Sequence, residues 1–302
     1  MPLDLRLTNH PAKIGRAREA YGVCDHRRWL TRSARAGSDL FGSGAGAEQT
    51  PGADDARNGR CRTVRRLAMG AASEVFQPEI LAGQEVKASQ EVRISSDFAD
   101  VIPLGEGQVA LVLGDVYGKG HKATLCVSQT QSALRRILSE CAHPACALSQ
   151  LNCYLCGCFG LLGVGPVVTL SLAVVDVGAG TAVCACAGSE PPLILRANLG
   201  LEAVNAGRVA LGVDASRAFR AVDFHMGTGD ALLMATDGIT GAYRADGSRD
   251  LLSYEGMAGL ALDAFRAGGP PGQMARAVLD GAGTFAGGTL HDDASVLVAI
   301  LR

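Results

Sequence analysis

The chain reads as an α+β protein, a four-layer sandwich of two stacked antiparallel β-sheets flanked by helix pairs. Three observations predict this. Strand-length apolar runs fill most of the chain after residue 84. Helical periodicity is confined to two pairs of segments. The order is strands, two helices, many strands, two helices, one strand. A doubly wound parallel sheet needs regular strand–helix alternation, which is missing here.

Taken in order, 98–104 and 109–116 are apolar runs joined by Gly105-Glu106-Gly107, a hairpin signal. Gly118 to Gly120 then release the chain into a helix over 121–141, with Ala123, Val127, Leu134, Ile137 and Leu138 near one face. A second helix covers 144–156. Strands follow at 167–177, 181–186 and 193–196, separated by Gly178-Ala179-Gly180 and by the Pro191-Pro192 pair. The runs 221–226 and 231–236 read as a further hairpin about 227–230. Helices at 253–266 and 273–285 precede a closing strand at 294–301.

Residues 1–80 read differently from 81–302. The stretch 38–60 is rich in Gly, Ala, Ser and Asp, which favours a flexible segment, and a short linker helix is expected over 63–76. Thirteen basic and nine acidic residues give the first 80 positions a net +4, whereas 15 basic and 21 acidic residues give the rest −6. The arginine-rich stretches at 16–35 and 57–66 read as a solvated tail before they read as a docking surface.

Composition bounds the function. With 302 residues, 48% hydrophobic and 19% charged, the chain can bury a substantial core. A net charge of −2 gives no basic field for nucleic acid. The longest nearly apolar stretch, 159–177, is broken by Gly160, Gly163, Gly165, Pro166 and Asp176, so a membrane span is not expected. The ten cysteines lie mostly inside apolar runs of a chain with no secretory signal at its start; reduced, partly buried thiols in a cytoplasm fit that pattern. Cys153, Cys156 and Cys158 form a CxxCxC run, yet they fall on a predicted helix with no second CxxC at zinc-finger spacing, so buried thiols are expected there rather than zinc.

Four aspartates carry the chemistry. Asp97 in SSDFAD, Asp115 in VLGDVYGKG, Asp237 in MATDGIT and Asp292 in HDDAS each stand where an apolar run meets a turn. A carboxylate gains no stability from such a place. Hard cations such as Mg²⁺ and Mn²⁺ take oxygen ligands, and carboxylates converging from separate strands are what they need. Taken singly, each could cap a turn instead. GDVYGKG is no phosphate-binding P-loop, because Leu113 and Gly120 stand where that loop requires Gly and Ser or Thr. No cysteine has an arginine six positions on within a Gly-rich turn, so a cysteine-phosphatase loop is also missing.

With the motifs SSDFADVIPL, ALVLGDVYGKG, VVTLSLAVVD, CAGSEPPLILR, ALGV, LLMATDGITGA and HDDASVLVAIL in order over 88–302, the chain resembles the metal-dependent protein serine/threonine phosphatases of PPM type. The branch it resembles contains the stage II sporulation and sigma-factor-regulating phosphatases. The resemblance implies two ions, Mn²⁺ or Mg²⁺, at one edge of the sandwich. Asp97, Asp115, Asp237 and Asp292 would be the ligands, with the backbone carbonyl of Val116, and Asp293 a supporting neighbour. It implies hydrolysis of phosphoserine or phosphothreonine by a metal-activated water, on a phosphorylated regulatory protein such as an anti-sigma antagonist. Tyr117, Lys119 and His121 are candidate proton donors.

The chain departs from the family pattern in several places. Ser95 and Ser96 replace two glycines, Ala99 an aromatic, Ser189 a histidine and Gly241 a glutamate, although Asp100 is kept. The competing expectation is therefore a catalytically weak relative that binds a phosphoprotein as a scaffold.

Overall fold

The computed structural model describes residues 6–7, 73–74, 80–87, 96–118, 121–160, 167–205, 207–244, 246, 248 and 250–302. The expectations for 38–60, for Lys119 and for the two arginine-rich stretches lie outside these. Of the helix expected over 63–76, only Ser73 and Glu74 are described, and they are extended.

Among the described residues the strands are β1 (Arg6–Leu7), β2 (Ser73–Glu74), β3 (Ile80–Lys87), β4 (Asp97–Gly105), β5 (Gln108–Val116), β6 (Val168–Asp176), β7 (Thr181–Ala187), β8 (Leu193–Leu195), β9 (Leu201–Ala203), β10 (Val222–His225), β11 (Ala231–Ala235) and β12 (Ala294–Leu301). The helices are α1 (His121–Glu140), α2 (Pro144–Gly160), α3 (Asp237–Thr240), α4 (Ser253–Ala267) and α5 (Pro271–Phe285). One sheet has the order β1-β9-β8-β11-β12-β3-β2 and the other β10-β7-β6-β5-β4. Every pairing is antiparallel except the edge contact of β1 with β9.

Period-2 burial assigns each strand face to a layer. In β12, Ala294, Val296, Val298 and Ile300 pack with Met257, Ala261, Met274 and Val278 of α4 and α5. Leu297, Ala299 and Leu301 point the other way, into a core shared with Val109, Leu111 and Leu113 of β5 and Leu232 and Met234 of β11. All eight residues of β12 are buried, as expected for a central strand covered on both faces. On the far side of the second sheet, α1 packs on β4 and β5, and α2 on β6 and β7. Two sheets with a helix pair on each outer face is the predicted architecture.

Two expectations are corrected. The runs at 221–226 and 231–236 are strands but not a hairpin, since β10 pairs with β7 while β11 pairs with β8 and β12 in the other sheet. The turn after β10 carries the chain from one sheet to its neighbour, with Asp230 accepting from Gly227 N and Ala197 N. The CxxCxC run is also less buried than expected. Cys153 and Cys156 are half-buried and Cys158 is exposed. Among the described residues no helix is long and apolar enough to cross a membrane, and β6 occupies the second half of the 159–177 stretch.

Candidate active site

The inner rows of four strands change from apolar to polar at the same end of the sandwich. On β5 the row Val109, Leu111, Leu113 continues to Asp115, and on β4 the row Val101, Ala99 continues to Asp97. On β11 the row Leu232, Met234 runs on to Thr236, and on β12 Leu297 is followed by Ser295 and Asp293. Alternation alone thus aims these polar groups into one space between the sheets.

Asp97 and Asp115 are register partners on adjacent antiparallel strands. Directly opposed residues have Cβ atoms about 4.5–5.5 Å apart, so two carboxylates share one patch. Asp97 is buried, and Thr236 Oγ1 donates to its Oδ2 at 2.9 Å. The same Thr236 oxygen accepts from Ser295 N at 2.9 Å, which locks β11 and β12 to the end of β4. Burial pushes the Asp97 carboxyl up to about 8, the charge of Asp115 adds to this, and the Thr236 hydroxyl opposes it. Asp115 is raised too, first by burial and then by the charges of Asp292 and Asp293. Its Oδ1 is buried without a hydrogen-bond partner.

The other two predicted aspartates stand at the rim. Asp237 opens the one-turn helix α3, exposed, yet set back far enough that burial and the charges of Asp115, Asp292 and Glu190 raise its carboxyl. Asp292 is exposed, and its Oδ1 accepts from the N–H of Asp293 at 3.0 Å. Asp293 is buried and accepts from Ser96 N at 3.0 Å and Ser96 Oγ at 3.4 Å, so it ties the chain before β12 to the start of β4. Gly238 packs on that chain so closely that a Cβ there would run into the carbonyl oxygen of Asp293. Val116 ends β5 with its N–H on Ser96 O at 3.2 Å. Tyr117, the described candidate proton donor, is 82% exposed and projects into solvent. Sequence reasoning missed Thr236, which stands inside MATDGIT directly before Asp237, and Glu190, which lies in CAGSEPPLILR away from any other acidic residue.

The donor set is all oxygen: the buried carboxyl of Asp97, the half-buried one of Asp115 with an orphaned buried oxygen, and two more at the rim. A divalent cation is the group that such a set fits. No three His, Cys, Asp or Glu side chains among the described residues close on one point tightly enough to enclose an ion by themselves.

The family model of stage II sporulation protein E (SpoIIE) matches residues 105–302, about two thirds of the chain. The chain belongs to the SpoIIE family of PP2C-type phosphatases. Solved structures agree on the fold. The RsbU and RsbW domains of Rv1364c from Mycobacterium tuberculosis superpose with a TM-score of 0.64 at 24% identity, covering 78% of this chain and 64% of that one. The PP2C phosphatase domain with a fragment of the regulatory domain of SpoIIE from Bacillus subtilis gives 0.61 at 20%, covering 76% and 64%. RsbX in complex with magnesium gives 0.55 at 10%, covering 77% of this chain and 100% of that one. The chain thus spans just under two thirds of the length of the first two structures.

Proposed function

We propose that the chain is a metal-dependent protein phosphatase, hydrolysing phosphoserine or phosphothreonine on a regulatory protein in a sigma-factor or stress switch of the cytoplasm. The observation that carries this reading is the pairing in register of Asp97, which is buried, with Asp115, which is half-buried and has one buried oxygen left unpartnered. Such an arrangement destabilises the fold unless a cation balances it. The magnesium in the RsbX structure supports Mg²⁺ or Mn²⁺ as that cation.

Asp97, Asp115, Asp237 and Asp292, with the carbonyl of Val116, would hold two such ions, which supply an activated water and neutralise the phosphoryl oxygens. The chain's own residues do the rest. The Asp97–Asp115 register fixes two ligands on a rigid sheet, and Thr236 orients Asp97 from the opposite sheet. Asp293 holds the start of β4 through Ser96, and this departure from the family's glycines adds one side-chain hydrogen bond to the backbone N–H contact that a glycine would also make. Gly241 N caps α3 on Asp237 O at 2.7 Å.

The test is phosphate release from a phosphoserine peptide. We expect turnover with Mn²⁺ and none after chelation. No divalent-metal binding at millimolar concentration, together with binding of a phosphoprotein that is never hydrolysed, would instead favour the scaffold reading.

A further inference from the structure

α3 is only four residues long, and it carries Asp237. Its N-cap residue, Thr236, gives it no side-chain cap, because that hydroxyl is committed to Asp97. Something else must fix the turn. From the second sheet the fixing contact comes through the β7–β8 connection. Thr240 Oγ1, at the last position of α3, donates to Glu190 Oε1 at 2.6 Å, and the same hydroxyl lies 3.3 Å from Asp237 O. Thr240 is buried, so this is not a surface contact that water replaces freely.

Glu190 is itself held from both sides. Ser171 Oγ, on β6, reaches Glu190 O at 3.5 Å and Ser189 Oγ at 2.8 Å. Tyr254 OH, on α4, donates to Pro191 O at 2.9 Å. Ser171 is a register partner of Leu113, two residues before Asp115 on β5. A continuous set of contacts therefore runs from the strand of Asp115, across β6, through Glu190, to the helix of Asp237. Among the described residues no Lys, Arg or His pairs with the Glu190 carboxylate. A half-buried carboxylate whose described partner is one hydroxyl is a poor choice for stability alone.

We propose that Glu190 is a positioning residue: by accepting the Thr240 hydroxyl it sets α3, and with it Asp237, at the distance from Asp115 that cation binding requires. The proposal rests on the metal-dependent reading above, and no family motif assigns Glu190 a role.

Three full-length variants test it. Glu190→Gln keeps an oxygen facing Thr240 and loses only the charge. Glu190→Ala loses both. Thr240→Val keeps Glu190 and loses the donor. The readouts are Mn²⁺ affinity by calorimetry on metal-stripped protein, and kcat and KM on a phosphoserine peptide. We expect Glu190→Ala and Thr240→Val to weaken Mn²⁺ binding roughly tenfold and to lower kcat with KM little changed, and Glu190→Gln to restore most of the affinity. Unchanged affinity in Glu190→Ala overturns the proposal. So does Glu190→Gln behaving like Glu190→Ala, since charge rather than position would then be at work. Mn²⁺ binding by a wild-type protein that never releases phosphate would sink the phosphatase reading alone, and the affinity series would still decide the role of Glu190.

Discussion

Asp97 and Asp115 face each other from adjacent strands, walled in by both sheets, whereas Asp237 and Asp292 stand on a one-turn helix and on the chain leading into β12. The first pair is rigid and costly. Burial pushes the Asp97 carboxyl up to about 8 and raises that of Asp115 as well. The second pair is exposed at the residue level and held in place by neighbours: Gly238 against Asp293, Thr240 on Glu190, and the Asp293 N–H on Asp292. The difference teaches where each kind of precision comes from. A sheet can force two like charges together because its ladder hydrogen bonds outweigh their repulsion, and a rim carboxylate needs a set of small contacts to be held as accurately.

The largest expected effect breaks the two pairs alike. Asp115→Asn and Asp237→Asn should each lower Mn²⁺-dependent phosphate release by more than about 100-fold. Their stabilities should diverge, and this is the sharper part. Without metal, Asp115→Asn relieves a half-buried charge facing Asp97 and raises the thermal midpoint by a few degrees, whereas Asp237→Asn leaves it nearly unchanged. Equal midpoints in differential scanning fluorimetry would mean that the two pairs are not built differently.

Next comes Gly238→Ala. The added methyl meets backbone, not a side chain that can swing away. Chemical denaturation should show a loss of about 3 kcal/mol, and full stability would separate α3 from the 292–294 segment.

The third prediction concerns pH. The Asp97 carboxyl is raised from 3.8 to about 8 in the folded protein. Its contribution to stability is then fully present below about pH 4 and lost as pH rises through about 8. In chelator, the wild-type midpoint should fall across that window relative to Asp97→Asn, and saturating Mn²⁺ should abolish the difference. Parallel pH curves for the two proteins in chelator would refute the buried-pair description.

The smallest effect lies away from both pairs. Arg135 reaches Asp100 through Nε at 2.7 Å and Nη2 at 2.9 Å, but its side chain is 52% exposed. Arg135→Ala should cost no more than about 1 kcal/mol and leave Mn²⁺ affinity as it was.

Much of this architecture is legible in the sequence because burial writes it there. β12 was readable residue for residue from an eight-residue apolar run, and α1 to within one residue from its periodic Leu and Ile. β3 was not, because Gly83, Gln84, Glu85 and Lys87 interrupt its apolar pattern, and β9 is only three residues long. Pairing is harder still. Periodicity shows that 222–225 and 231–235 are extended, but the choice of partner depends on long-range packing that a local window cannot contain. The four aspartates stood out because a charge at the end of an apolar run has no local reason to be there. Glu190 did not, since its neighbours Ser189 and Pro191 give an ordinary loop, and its meaning comes from Thr240, 50 residues away.

The central claim is that the Asp97–Asp115 pair exists to hold a cation. Its most direct test is calorimetric titration of Mn²⁺ into metal-stripped wild type and Asp115→Asn, side by side. We predict saturable binding in the wild type and a loss of more than about tenfold in affinity in the variant. No binding at millimolar Mn²⁺, or the same isotherm for both proteins, would contradict it.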